Sequence, residues 1–270
     1  MKDKKYEILK GDNKPYYCNT VYRIKALKDF GDVKAGDIGG YIQSEEHLSH
    51  TGNCWVYDDA VVYDHARVKN NAKIFNNAEV GGYARVTGDA QVHNDAQIKG
   101  LAEINEKAVV RDYAIVEGIV EGGAIVADNA KVLDTTYVDS NARVCGMATI
   151  KDYTHITGYA RIDGQAIVCG ESVIDKNTVV DGKTYIEDGL LNKSQDYVTI
   201  HPVGEFNASI TAFMNRHGEV MVSENKGDRF FGTFARFERV VQGRYEWDNY
   251  YLDEYKDLIE YIMKFFHLDD

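Results

Sequence analysis

The sequence predicts a parallel β-helix followed by a small α+β domain, and a six-residue repeat is the main reason. From Cys54 to Ile186 the chain repeats a small residue, a variable residue and a β-branched aliphatic, followed by three polar or glycine positions. The small position recurs every six residues from Cys54 to Ala114 and again from Ala124 to Thr184, eleven times in each run. Similarity at a fixed short period indicates a solenoid, because stacked repeats bury a continuous core.

Each repeat predicts one short strand and one turn. The small and aliphatic residues are two apart, so they point to the same side of a strand, and the residue between them points outward. Glycine, asparagine and aspartate fill the remaining positions, and these residues tolerate turn conformations. Three strands to a coil describe a rod with three flat faces. The 22 repeats of the two runs give about seven coils and a rod of roughly 35 Å.

Both ends of such a rod need a cap, since a terminal coil otherwise exposes core and free strand edges. We expect residues 1–50 to form an irregular N-terminal cap and the start of the coil, and residues 51–188 to form the rod. Residues 189–270 leave the repeat altogether and predict a separate α+β domain.

In that last segment the pattern predicts three strands, Tyr197–Ile200, Ile210–Phe213 and Val220–Val222. Thr233 is a good N-cap for a short helix. A longer helix after Asp248 carries an amphipathic stripe, which is more often core than a binding site. Aromatic residues are enriched at interfaces, so the candidates for a dimer contact on this helix are Tyr255, Tyr261 and Phe265.

The segment before the rod carries a resemblance to a known family. Residues 29–40 read DFGDVKAGDIGG, and residues 52–58 read GNCWVYD. These motifs resemble the start of the coil in YdcK-like proteins, a bacterial and prophage group of left-handed β-helices built from hexapeptide repeats. The resemblance covers roughly residues 20–190 and implies a left-handed rod. The residues that it assigns to the start of the coil are Asp29, Phe30, Asp32, Gly36, Gly39, Gly40 and Trp55.

The resemblance also bears on function. The family carries an acyltransferase label by analogy of fold. Residues 189–270 have no counterpart in it and resemble a small module appended to phage-encoded solenoids, which implies a phage or prophage origin.

Charge and composition narrow the classes of function. The net charge is −12, and residues 51–188 carry 13 basic and 21 acidic side chains, so we expect no direct binding of nucleic acid. The acidic rod suits a basic surface or simply keeps the protein soluble. No segment predicts a membrane span or a secretory signal. The four cysteines lack metal-ligand spacing, so we expect reduced thiols, a cytoplasmic location, and neither metal nor cofactor.

Histidine is the residue type that an acyltransferase would need. Hexapeptide-repeat acyltransferases resemble this rod and use a histidine between neighbouring rods as general base. The candidates are His93 and His155, expected on outward strand positions, and His65 at a corner. None of them has an evident carboxylate partner, and an ordinary surface residue is the simpler interpretation of each. No catalytic residue is therefore assigned.

The repeat is interrupted once, where ten residues instead of six separate Ala114 from Ala124. We expect residues 114–124 to form either a corner bulge, which is too short to cover the arm of an acyl carrier, or a shortened face. Outward positions also turn apolar in two runs, each of which would ring one level of the rod. We expect another subunit, in a dimer or trimer, or the C-terminal domain to cover them, although β-branched residues also simply favour strands. The first run is Val109, Ile115, Ile119 (in the bulge) and Ile125, and the second is Ile167, Val173 and Val179.

These observations favour a non-enzymatic, protein-binding solenoid of the cytoplasm. By resemblance it is derived from a phage or prophage and acts as an oligomeric scaffold or as an inhibitor of a host (defence) protein. Two alternatives stay open: an acyltransferase that uses an acyl-CoA donor and His93 or His155, and an acidic mimic of nucleic acid.

Overall fold

The computed structural model describes residues 4–225, 230–244 and 249–268. The chain begins with three strands, β1 (Tyr6–Tyr16), β2 (Asn19–Ala26) and β3 (Ile38–Ile42). The first two form an antiparallel hairpin, β2 pairs antiparallel with β3, and β3 pairs in parallel with a strand of the rod. The expectation of an irregular cap was therefore wrong. The N-terminal segment extends one face of the rod and supplies its terminal edge.

Twenty-four short strands then follow in eight coils of three. The first four coils contain β4 (Trp55–Val56), β5 (Val61–Val62), β6 (Arg67–Val68), β7 (Lys73–Ile74), β8 (Glu79–Val80), β9 (Arg85–Val86), β10 (Gln91–Val92), β11 (Gln97–Ile98), β12 (Glu103–Ile104), β13 (Val109–Val110), β14 (Ile115–Val116) and β15 (Ile119–Val120). The last four contain β16 (Ile125–Val126), β17 (Lys131–Val132), β18 (Tyr137–Val138), β19 (Arg143–Val144), β20 (Thr149–Ile150), β21 (His155–Ile156), β22 (Arg161–Ile162), β23 (Ile167–Cys169), β24 (Val173–Ile174), β25 (Val179–Val180), β26 (Tyr185–Glu187) and β27 (Leu190–Leu191).

The strands stack in register into three sheets, so the protein is a parallel β-solenoid, as predicted. Sheet 1 runs β1-β2-β3-β5-β8-β11-β14-β17-β20-β23-β26, sheet 2 runs from β4 to β25, and sheet 3 from β6 to β27. The predicted number of coils, about seven, was low by one. Strands β15 and β27 account for the additional coil. Each follows a glycine after a shortened turn, so neither fits the six-residue spacing on which the predicted number rests.

The core of the rod consists of the repeated small and aliphatic residues, which are fully buried from Cys54 to Leu191. Threonine or serine replaces alanine at several corners in the second half. At three of them the hydroxyl donates to the carbonyl three residues earlier, as from Thr154 to Lys151 (2.8 Å) and from Thr184 to Asp181 (2.6 Å). The buried hydroxyls at these two corners are thus satisfied locally, without disturbing the hydrogen bonds between coils.

Aspartate and asparagine at the turns link successive coils. Asp58, Asp64 and Asp128 all have positive φ, which these residue types tolerate better than most. The Asp58 carboxylate accepts a hydrogen bond from the backbone N–H of Asn76 (2.9 Å), and that of Asp128 from Gly146 (2.9 Å). The polar turn positions of the repeat therefore contribute contacts along the rod as well as turn geometry.

The interruption of the repeat is a shortened corner, so of the two expected alternatives the structure has the shortened one and not the bulge. Only Glu117 and Gly118 separate β14 from β15, and β15 is a regular strand of sheet 3. Residues of neighbouring strands are normally 18 apart, but the pairs Glu103 with Ile119 and Ile115 with Lys131 are 16 apart. One coil is thus two residues shorter than the regular coils of 18, and all three sheets continue through it.

The C-terminal module comprises four antiparallel strands and two helices. They are β28 (Tyr197–Val203), β29 (Ala208–Met214), β30 (Val220–Glu224), β31 (Phe231–Thr233), α1 (Phe234–Arg244) and α2 (Asn249–Phe266), preceded by a 3-10 turn at Ser194–Asp196. The three predicted strands and both helices are confirmed, and α1 begins directly after Thr233. Neither helix in the described part of the chain combines the length and apolar character needed to cross a membrane.

The apolar stripe of α2 faces the core of the module. Tyr255, Leu258 and Ile262 are buried there against β29, β30 and α1. Glu224 of β30 is buried as well, and its carboxylate accepts hydrogen bonds from the Tyr255 hydroxyl (2.9 Å) and the Arg244 guanidinium (2.8 Å). This carboxylate joins the sheet to both helices. Tyr255, considered above as a contact residue, is therefore an internal residue of the module.

The shortened corner generates a prediction about stability. A methyl group at Gly118 would meet the Thr136 carbonyl oxygen at 2.7 Å and the Thr136 hydroxyl even closer, on the next coil. We expect Gly118→Ala to destabilise the protein by about 1–3 kcal/mol, as overpacking typically does. Gly11→Ala is the matched control, since nothing lies within 4 Å of the added methyl. Urea unfolding followed by circular dichroism measures both variants, and equal midpoints would contradict this account of the corner.

Candidate functional site

The second part of sheet 3, from β15 to β27, carries a largely apolar and aromatic outer surface. Its outward side chains are charged on the first three strands, Arg67, Arg85 and Glu103. From the shortened corner onward, five successive outward residues are half-buried and largely apolar, and we call them the sheet-3 stripe: Ile119, Tyr137, His155, Val173 and Leu190. At the spacing of paired strands the stripe is roughly 19 Å long.

The other predicted apolar positions lie on sheets 1 and 2. Val109, Ile125 and Val179 point outward on sheet 2, and Ile115 and Ile167 on sheet 1. Each predicted run does pass around the rod from one sheet to the next. Along sheets 1 and 2 of the rod, among the described residues, at most two neighbouring strands in succession carry outward apolar residues. The stacking of coils thus turns Ile119 and Val173, one from each predicted run, into members of a single stripe.

His155 is the polar centre of the stripe, and it has a carboxylate partner. Its Nε2 lies 2.8 Å from Oδ2 of Asp139, which is 20% exposed, and the other carboxylate oxygen accepts a hydrogen bond from the Thr157 hydroxyl. The Tyr137 ring packs edge-on against the imidazole, and the Tyr137 hydroxyl donates to Glu121 (3.1 Å). A carboxylate only accepts, so Nε2 carries the proton and Nδ1 is left to act as a base.

The expectation that no candidate histidine pairs with a carboxylate was therefore wrong for His155. Asp139 is 16 residues before His155 and 18 before Thr157, so it lies one coil below both. The sequence does contain this pair at a spacing of about one coil. The spacing indicates a contact only once Asp139 is assigned to a turn and His155 to the strand of the next coil.

The environment of Asp139 favours its ionised form. Partial burial would raise the pKa of this carboxyl, but hydrogen bonds from Thr157, His155 and Ser140 outweigh burial and lower the pKa. The histidine is thus held beside a carboxylate that stays negative at neutral pH. This arrangement orients an imidazole, and equally it anchors a polar residue within an apolar contact surface.

The other two histidines are less suited to chemistry. His93 comes directly after β10, its ring stacks on Phe75 (4.5 Å between centroids), and burial lowers its pKa, with a further contribution from Arg111. His65 lies at a corner and stacks on Tyr83 (4.6 Å). Both rings belong to stacks of aromatic side chains along the rod, so their packing contributes to the stacking of coils.

Two of the residues assigned to the start of the coil, Phe30 and Gly39, lie against the indole of a third, Trp55. Trp55 is 1% exposed and packs edge-on against Phe30. A side chain at Gly39 would meet that indole at 2.5 Å, and one at Gly40 would meet the Ala60 carbonyl oxygen at 2.6 Å, which explains both glycines.

The remaining coil-start residues shape the loop that covers Trp55. Asp29 accepts hydrogen bonds from the Ala35 N–H (2.9 Å) and from Lys34 (3.0 Å). Asp32 accepts from Tyr57 (2.8 Å) and Lys73 (2.7 Å), and Gly36 has φ of 98°. The motif therefore forms a structural cap over the first coil.

Two of the three aromatic candidates on α2 remain accessible. Tyr261 is 49% exposed, and Phe265 is half-buried and lies 6.1 Å from it between ring centroids. Within the described residues no group of three or more histidine, cysteine, aspartate or glutamate side chains is placed to hold a metal ion.

Comparison with known proteins gives one local match. No protein-family model matches the chain. Forty residues, 15% of the chain, are 48% identical to a segment of the Escherichia coli (strain K12) protein named uncharacterized acetyltransferase YdcK. The match spans 12% of that protein's length. The local identity and the solenoid of eight coils together fit a YdcK-like left-handed β-helix.

The lowered pKa of Asp139 predicts a pH dependence of stability. A carboxyl whose pKa falls on folding stabilises the folded state above its unfolded pKa, near 3.8, and that contribution disappears as the pH falls through the lower folded value. We expect Asp139→Asn to be less stable than the parent protein at pH 7, and the difference to shrink below pH 3.8. Urea midpoints at a series of pH values measure it, and a difference that does not change with pH would contradict the assignment.

Proposed function

We propose that the protein is a non-enzymatic, protein-binding solenoid and that the sheet-3 stripe is its binding surface. The observation that carries the proposal is the run of five half-buried outward residues on one flat sheet. Protein contact surfaces combine an apolar, aromatic centre with a polar border, and Tyr137, next to His155 in the stripe, is of a type enriched there. Elsewhere on the rod, apolar outward residues are interrupted by charged or amide side chains.

The border of the stripe indicates the chemistry of the partner. Glu121, Asp139 and Asp175 follow β15, β18 and β24 along one side of the stripe, and Thr157 takes the corresponding position after β21. A complementary partner has an apolar centre bordered by lysine or arginine, because like charges across a contact are costly. The net charge of −12 would speed the approach to such a surface.

The protein would then act by binding to a basic surface of another protein, either as a scaffold or as an inhibitor. The rigid, hydrogen-bonded rod supports this, because a preorganised surface loses little entropy on binding. A phage or prophage origin and a host defence protein as the target are parts of the proposal that rest on the family resemblance and on the resemblance of residues 189–270 to a phage module. A cytoplasmic location is a further part, and it rests on the cysteines. Self-association through the same stripe is the competing outcome.

The stripe can be tested with charge. Ile119→Lys with Val173→Lys places two charges in the stripe, and we expect partner affinity to fall about tenfold or more. Gln97→Lys with Thr149→Lys is the matched control on sheet 1, where both residues also point outward and are half-buried. The measurement is affinity capture from host lysate with quantitative mass spectrometry, together with light scattering for the mass of the free protein.

A protein captured by the parent and the control but not by the stripe variant supports the proposal. Equal capture by all three would reject the stripe as the contact surface. A drop in native mass in the stripe variant alone would assign the stripe to self-association.

A second candidate function is acyl transfer, and the pair of His155 and Asp139 favours it. The locally similar relative is named as an acetyltransferase, and an imidazole held by a carboxylate can take a proton from an acceptor hydroxyl or amine. Against it, no connection between Trp55 and Leu191 is longer than four residues, so the rod has no loop to cover an acyl carrier. We therefore place acyl transfer second.

Acyl transfer has its own test. The protein would be incubated with acetyl-CoA and panels of amine and hydroxyl acceptors, and release of free CoA would be followed. If this function holds, His155→Ala should reduce the rate about 100-fold or more, while His93→Ala should not change it. A parent protein that neither releases CoA nor gains thermal stability with acetyl-CoA would reject this candidate and leave the binding proposal unaffected.

A further inference from the structure

The outer edge of the C-terminal sheet is formed by β28. The order of this sheet is β28-β29-β30-β31, and in the described part of the chain no strand pairs with the outer side of β28. An edge strand presents backbone N–H and C=O groups that can pair with an added strand. Lysine and proline commonly block such edges, but residues 197–200 contain neither, and Pro202 lies in the irregular end of the strand.

Two cavities lie on the two faces of this edge strand. One of about 430 Å³ lies on the helix side and is lined by Val198, Ile200, Leu258 and Tyr261. The other, of about 560 Å³, lies on the rod side and is lined by Asp181, Lys183, Tyr197, Thr199 and His201. Ile200 lines the helix-side cavity alone, Tyr197 and His201 line the rod-side cavity alone, and Val198 and Thr199 border both. A peptide paired with β28 would send alternate side chains to the two sides.

The helix-side cavity has an apolar floor and an acidic rim. Glu254 and Asp257 of α2 are exposed at it, and Glu254 also accepts a hydrogen bond from the Gly204 N–H (3.2 Å). Residues 189–270 carry 9 basic and 14 acidic side chains, so the surroundings add to this negative field. Apolar side chains of a peptide would fill the floor, and neighbouring lysine or arginine would meet the rim.

We propose that β28 is a peptide-binding edge that accepts an extended, basic segment of a partner protein by strand addition. Backbone pairing holds the segment along residues 197–200, its apolar residues enter the cavity beside α2, and its basic residues face Glu254 and Asp257. A second copy of this chain is a poorer occupant, since two acidic rims would be brought together. The site is separate from the sheet-3 stripe, so either proposal can fail without the other.

The probe is a fluorescein-labelled, N-acetylated hexapeptide, Val-Thr-Val-Thr-Lys-Thr, whose valines and lysine lie on one face of an extended strand and so meet the helix-side cavity together. It is titrated into the full-length protein and followed by fluorescence anisotropy. We expect saturable binding with Kd below about 100 µM. A peptide with glutamate in place of lysine, and one N-methylated at alternate residues to remove backbone donors, should each bind at least about tenfold more weakly. Asp257→Lys should weaken binding of the lysine peptide to a similar degree.

Glu106→Lys is the control, because it makes the same change of charge at an exposed turn of the rod. Melting temperatures of both variants would establish that the fold is retained. The proposal is overturned if the lysine peptide does not bind, if N-methylation has no effect, or if Asp257→Lys and Glu106→Lys weaken binding equally. A dimer by light scattering that the lysine peptide dissociates would also overturn it, in favour of a second copy as the occupant.

Discussion

Backbone hydrogen bonds between successive coils are the constraint on which this structure depends. Each strand of the rod is only two or three residues long and has no stability alone, so its N–H and C=O groups must find partners one coil away. The bond from the Tyr57 N–H to the Ile74 carbonyl (2.8 Å) is one of a series repeated along the whole rod. Because every coil must match its neighbours, inward positions accept little change, and variation is confined to outward residues and turns.

The shortened corner shows how the rod keeps this constraint while altering its surface. Loss of two turn residues before Ile119 leaves all three sheets paired, because the neighbouring coils align strand by strand regardless of the turn between them. At this corner the backbone of residue 118 lies so close to Thr136 on the next coil that only glycine fits. The outward column of sheet 3 changes from charged to apolar at this coil, so the irregular corner marks the beginning of the stripe.

The two candidate functions share one face, and the same residues serve both. In an acyltransferase, Asp139 would orient His155 as the general base. In a binding protein, the same hydrogen bond would satisfy both polar side chains within an apolar contact surface. The uninterrupted coils favour binding, since the rod supplies no covering loop. The C-terminal module adds a second kind of surface, an open strand edge between two cavities, which suits an extended segment and not a flat partner.

The sequence by itself determined the solenoid, the burial of the small and aliphatic positions, and the strands and helices of the module, because these follow from local periodicity. It did not reveal the pairing of Asp139 with His155, the union of Ile119 and Val173 in one stripe, or the internal position of Tyr255. Those facts depend on which residues the coils and helices bring together across 16 or more positions. Periodicity states which way a side chain points, whereas only the stacked structure decides what it meets there.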